Sequence, residues 1–193
     1  MKRKVLIALF PVLTACDSAY YRGVLDRVRA PSRAQFADWL EESGNEETYH
    51  DLMSHLEAHD VIDVVPVWHL LRQGTDWRQA ELSPFAMPPR DKWDNIVPTL
   101  ELIRDEVVPR VGEVEVVSSF RTNEYNKAAG GTWGSRHRYF EAVDLVPVYF
   151  VSKEEIHESL NVLYDDVSDS HSIGLGIYSG ARFHIDSFST RRW

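Results

Sequence analysis

The apolar rhythm of the sequence changes at Gly112, which divides a helical first part from a mixed second part. Before that glycine, "SRAQFADWLEESG" spaces Phe36, Trp39 and Leu40 as one face of a helix, and Gly44 is placed to close it. "EETYHDLMSHLEAHD" repeats the spacing with Tyr49, Leu52, Met53 and Leu56. "PPRDKWDNIVPTLELIRDEVVPRVG" puts Trp93, Ile96, Leu100 and Ile103 on one stripe, while Pro98 predicts a kink or a late start. "VIDVVPVWHLLRQ" is apolar on more than one face and interrupted by Pro66, so it fits a buried helix or a strand equally.

Beyond Gly112, β-branched runs alternate with helices. "EVEVVSS", "AVDLVPVYF", "GLGIYS" and "RFHIDSF" read as strands, the last two joined by a tight turn at Ser179-Gly180. "RTNEYNKAAGG" is a short helix ended by Gly130 and Gly131, and "KEEIHESLNVLYDDV" is an amphipathic one with Ser152 and Glu155 spaced as a capping box. The expected fold is α+β: a small antiparallel sheet with flanking helices, preceded by a helical N-terminal region.

At the start, Lys2, Arg3 and Lys4 precede an apolar run from Val5 to Ala15 that is too short to span a bilayer and reads as an export signal. Leu13-Thr14-Ala15-Cys16 resembles the bacterial lipobox, whose cysteine is lipidated and becomes the first mature residue. Cys16 is the only cysteine, and lipidation would use a thiol that an exported chain otherwise leaves unpaired. The expectation is export to the periplasm and anchoring to the inner or outer membrane through a lipid on Cys16. Asp17 favours the inner membrane in some bacteria. Loss of residues 1–15 removes three positive charges and lowers the formal charge from −9 to −12, a balance that argues against nucleic acid as a partner.

Chemistry concentrates late in the chain. His184 and Asp186 are two apart on the final predicted strand, so both project from one face of the sheet. Asp144 opens the middle strand and His137 lies in the loop feeding it. Two imidazoles, one carboxylate and an open water position make the ligand set of a catalytic zinc. The chain has eight histidines, so this spacing alone is weak evidence.

Taken together, "SSFRTNEYNKAAGGTWGSRHRYFEAVDLVP" and "GLGIYSGARFHIDSFSTRRW" resemble the peptidase M15 family, in particular its subfamily A C-terminal domain. These are zinc D-alanyl-D-alanine peptidases of the bacterial cell wall, related in fold to hedgehog N-domains and lysostaphin-type enzymes. Their pattern runs S-G-[YF]-R, then S-x-H-x-x-G-x-A-x-D, then a glycine-rich strand and a final H-x-D. Ser119-Phe120-Arg121 fits the first part, with Ser119 where glycine is usual; Ser135, His137, Ala142 and Asp144 fit the second; His184 and Asp186 fit the last. The resemblance runs from about Val114 to Trp193.

It implies that His137, Asp144 and His184 bind zinc, that Arg121 anchors a carboxylate or carbonyl of the substrate, and that Ser135 orients the ligand loop. Two departures matter. Phe140 replaces the glycine between His137 and Asp144, so the loop takes another path or Phe140 forms a wall over the site; exposed at a pocket mouth, Tyr139 and Phe140 would meet a peptide, and buried they are simply core. Ala181 stands where many relatives carry an acidic base; Asp186 is the nearest replacement, or else supports a ligand imidazole, with His171 and Glu141 as remoter candidates.

The implied organisation is a lipoprotein signal peptide over 1–15, a tether over 16–34, a helical region over 35–88 and the zinc peptidase domain over 89–193. The expected function is a tethered, monomeric zinc D,D-peptidase, carboxypeptidase or endopeptidase, acting on peptidoglycan peptides. The alternatives are an inactive metal-stabilised module that binds wall peptides or a wall-synthesis partner, and a purely structural lipoprotein.

Overall fold

The computed structural model describes residues 25–149, 151–178 and 180–193. The expected signal, Cys16, and Ser179 of the expected turn lie outside them. Among the described residues no helix is long and apolar enough to cross a membrane.

Residues 25–29 are helical. Helix α1 (Arg33–Ser43) starts in a reciprocal capping box between Ser32 and Gln35 and ends at Gly44, whose φ of 65° lets its N–H turn back to the carbonyls of Leu40 and Glu41. Helix α2 (Glu46–Ala58) buries Leu52 and Leu56. The ambiguous segment is neither long helix nor strand: behind Pro66 it makes a 3-10 turn over Val67–Leu71. A composite helix follows, 3-10 over Arg90–Ile96, α over Val97–Leu102, π over Ile103–Val107 and α again over Val108–Val111. Pro98 sits in the first turn of the α part, where its missing N–H has no partner to lose, so the late start holds.

Strands β1 (Val114–Ser118), β2 (Ala142–Pro147), β3 (Gly174–Ile177), β4 (Phe183–Asp186) and β5 (Arg191–Arg192) form one sheet in the order β1-β2-β4-β3-β5. All pairs are antiparallel except β3 with β5. The two-residue β5 is too short to leave a sequence period. Helix α3 (Asn123–Ala128) follows β1, and α4 (Lys153–Val167) opens in the expected Ser152/Glu155 box and buries Ile156, Leu160, Leu163 and Val167. One hydrophobic core joins Phe36, Leu52 and Leu56 to Leu145, Leu160, Phe183 and Ile185, so the helical first part and the sheet share their packing.

Phe140 takes a backbone conformation that glycine adopts most easily. Its φ of 59° and ψ of 39° are left-handed, and its fully buried side chain meets Phe120 edge to face at 6.1 Å. Of the readings open to Phe140, a wall over the site is ruled out and the ring is core. Left-handed backbone costs a residue with a Cβ about 1–2 kcal/mol, and burying the ring offsets it by about 1.5–3 kcal/mol. Phe140→Ala keeps the strain and loses the ring, and should destabilise by about 3–5 kcal/mol. Phe140→Gly should be milder by about 1 kcal/mol although it removes more atoms. Urea unfolding of the two variants side by side tests that order.

Candidate metal centre

The loop after β1 grips His137 from both sides. The 3-10 turn Arg136–Tyr139 carries it, the Ser119 carbonyl accepts its Nδ1–H at 2.8 Å, and its own carbonyl accepts the Arg121 N–H at 3.0 Å. A carbonyl can only accept, so the proton sits on Nδ1 and Nε2 keeps its lone pair. A register shift between Val116 and Ser118 sets Ser118 opposite Asp144, and Asp144 lies opposite His184 in the β2–β4 pairing.

Three ligand atoms meet there. His137 Nε2 and His184 Nδ1 are 3.2 Å apart, Asp144 Oδ1 is 3.2 Å from His184 Nδ1, and it is 3.3 Å from His137 Nε2. With metal bonds of about 2.0–2.1 Å, the corners of a tetrahedral coordination sphere stand about 3.3–3.4 Å apart. The triangle therefore fits three corners of such a sphere. All three residues are buried, Asp144 completely.

Each ligand is held by its other end. His184 Nε2 donates to Asp186 Oδ2 at 2.8 Å, which leaves Nδ1 bare when the ring is neutral. The Asp144 Oδ2 accepts Nη2 of both Arg121, at 2.8 Å, and Arg182, at 2.5 Å, and the Tyr178 hydroxyl donates to Oδ1 at 3.3 Å. Two bare ring nitrogens and a carboxylate oxygen facing one another repel unless a cation lies among them. Without a metal, a proton on His184 takes that place. Burial opposes its charge, but bonds to Asp144 and Asp186 outweigh this and raise its pKa. Burial, seconded by Arg121, lowers the pKa of His137 to about 4. Burial would likewise raise the pKa of Asp144, yet Arg182 and the imidazoles hold it well below the carboxylate range.

Arg182 and Tyr178 escaped the sequence reading. Arg182 is two residues before His184 on the same strand face, which was a visible signal, but that it reaches Asp144 depends on the pairing of β4 with β2. Burial opposes the charge of Arg182, whereas Asp144 raises its pKa; burial and Asp144 both raise that of Tyr178 and keep the phenol protonated.

Of the sequence candidates, Arg121 joins the site, its Nε donating to Ser118 Oγ at 2.9 Å and to the Gln73 carbonyl at 3.0 Å. Asp186 is fully buried on the far edge of the His184 ring, where its oxygens also accept Phe188 N–H and both Arg191 nitrogens. Ser135 borders the cleft and acts through its backbone, its carbonyl accepting the Arg138 N–H at 3.2 Å. Tyr139 is turned elsewhere: its ring lies 5.8 Å from Lys92 Nζ and 5.4 Å from the Arg136 guanidinium, and it borders neither cleft beside the centre. Glu141 pairs with Arg136 at 3.1 Å, and His171 lines a separate cavity with Glu101 and Asp105.

The glycines of β3 make room for this arrangement. A Cβ on Gly174 would stand 2.2 Å from Asp186 Oδ2, and one on Gly176 would stand 2.8 Å from the Trp193 ring, which β5 lays 5.2 Å from that of His184. Two clefts meet at Arg121 and Tyr178. One, of about 610 Å³, is lined by His137, His184, Ser135 and the guanidinium-bearing Arg121, Arg136 and Arg191. The other, of about 590 Å³, is lined by Asp144, Arg182, Asp26 and Arg29. Among the described residues no Asp or Glu side chain lines the first cleft, so a chain of net charge −9 gathers positive side chains there.

Residues 72–186, more than half of the chain, match the family model described as Peptidase M15. No curated protein and no solved structure matches the chain.

Proposed function

Because the chain belongs to the peptidase M15 family of metallopeptidases, we propose that it is a zinc-dependent D,D-peptidase acting on peptidoglycan stem peptides. We further propose that a lipid on Cys16 anchors it to the membrane beside that polymer. The observation that carries the zinc reading is the triangle of His137 Nε2, His184 Nδ1 and Asp144 Oδ1, with edges of 3.2–3.3 Å. A zinc ion held by those atoms would supply a Lewis acid and a water that ionises near neutral pH.

The chain's own groups do the rest. Arg121 and Arg182 share Asp144 Oδ2, which keeps the carboxylate ionised and turns Oδ1 toward the two imidazoles. Arg121 spends Nε and Nη2 inside the protein, leaving Nη1 for a substrate carboxylate or carbonyl at the cleft. Arg136 and Arg191 extend the positive lining, which suits the carboxylates of a wall peptide. Asp186 and Arg191 fix the His184 ring, so of the two roles open to Asp186 the geometry favours support of the imidazole.

A second reading, a binding module that holds wall peptides without cutting them, draws on one observation. Position 181 is a buried alanine, and among the described residues no Asp or Glu side chain lines the His137/His184 cleft to take the water's proton. Metal analysis and muropeptide digestion of the wild type beside His184→Ala decide between the two. The peptidase should carry zinc at this centre and release D-alanine or open cross-links, both lost in the variant. Zinc without turnover would select the binding module, and a wild type with no metal lost on His184→Ala would sink both.

A further inference from the structure

A second constellation lies where the helical first part meets the composite helix. His55 and His59 are one turn apart, in the last turn of α2 and at its C-cap, and so share a helix face. Asp94 comes from the 3-10 segment Arg90–Ile96. One ligand atom from each of the three lies within 4.8 Å of the other two. An ion pair between Asp51 and Arg90, each four residues before its neighbour in the cluster, holds the two elements face to face.

His55 Nε2 is shielded from solvent and makes no hydrogen bond, yet it stands 3.2 Å from Asp94 Oδ1. Two polar atoms so close but out of line for a hydrogen bond have the spacing of two ligands on one ion, as at the buried centre. His59 offers the third ligand: its Nδ1 donates to the His55 carbonyl at 2.8 Å, which leaves a lone pair on Nε2. Asp94, with its side chain 83% exposed, leaves the remaining corners to water.

We propose that His55, His59 and Asp94 form a second metal site, for a divalent first-row transition ion of the kind that imidazole and carboxylate ligands hold, zinc among them. Its occupant staples α2 to the segment that presents the loop of His137. Lys92 Nζ and Asn95 Nδ2 of that segment donate to the carbonyls of Arg138 and Tyr139 at 2.9 Å each. The ion is structural, since no cleft beside the buried centre reaches it.

The test is zinc titration of the chelator-stripped full chain, with stoichiometry read by equilibrium dialysis and stability by thermal melting. The wild type should bind two equivalents, His59→Ala and Asp94→Asn one each, and His184→Ala one. The rise in melting temperature on the weaker equivalent should vanish in His59→Ala, whose metal-free melting should fall only by what the exposed bond from His59 to the His55 carbonyl contributes. A chain that binds one equivalent, lost in His59→Ala and kept in His184→Ala, upholds this site and sinks the buried one. If His59→Ala and Asp94→Asn bind as much zinc as the wild type, the proposal is wrong.

Discussion

Asp144→Asn should empty the buried centre and also destabilise the metal-free chain by about 3–5 kcal/mol. The substitution keeps the side chain's size and removes its charge. Oδ2 now answers Arg121 and Arg182, and Oδ1 answers two imidazoles and a phenol. An amide nitrogen turned toward the arginines meets guanidinium groups that have no lone pair to accept its N–H, and one turned toward the imidazoles leaves the arginines a neutral carbonyl in place of a carboxylate. Two half-buried guanidinium groups lose the carboxylate they are bonded to, and that leaves the larger penalty. Zinc content after dialysis reads the first effect, and urea unfolding in chelator reads the second. A variant that loses metal but unfolds like the wild type without metal would mean that Asp144 is a ligand only and that the arginines are paired elsewhere.

Gly174→Ala should weaken zinc binding by about 10- to 100-fold without touching a ligand. The added methyl would sit 2.2 Å from Asp186 Oδ2, so that carboxylate has to move. Asp186 is tied to His184, Arg191 and the Phe188 N–H, and the tie most easily broken by a sideways shift is the one that fixes the imidazole. Gly176→Ala pushes instead on the half-exposed Trp193 ring and should cost far less. Zinc affinities of the two alanine variants, measured by competition with a chelating dye, separate the readings. Equal small losses in both would show that Asp186 has room to yield.

Much of this centre was legible because its parts are local. His137, Asp144, His184 and Asp186 stand in short runs whose strand or loop character follows from β-branched residues and glycines nearby. What the sequence left out are contacts that exist only once the strands are paired. Arg182 reaches Asp144 across the β2–β4 ladder, and Arg121 leans on the Gln73 carbonyl from a segment 48 residues earlier. Neither partner can be read from spacing. Phe140 misled for a different reason: glycine is the cheap occupant of a left-handed position, but a residue that buries a whole ring can hold it. Tyr139, placed by the sequence at the pocket mouth, is turned by the same 3-10 turn toward Lys92 and Arg136.

The pairing of Asp144 with His184 across β2 and β4 bears on how the chain avoids misfolding. Side chains alternate between the faces of a strand, so a slip of one residue would send one ligand to the opposite side of the sheet from its partner. Only the native register brings both to one point, and an ion bound there stabilises that register alone. Metal loading would thereby act as a proofreading step for the sheet: misaligned chains would gain nothing from the ion and stay free to unzip and pair again.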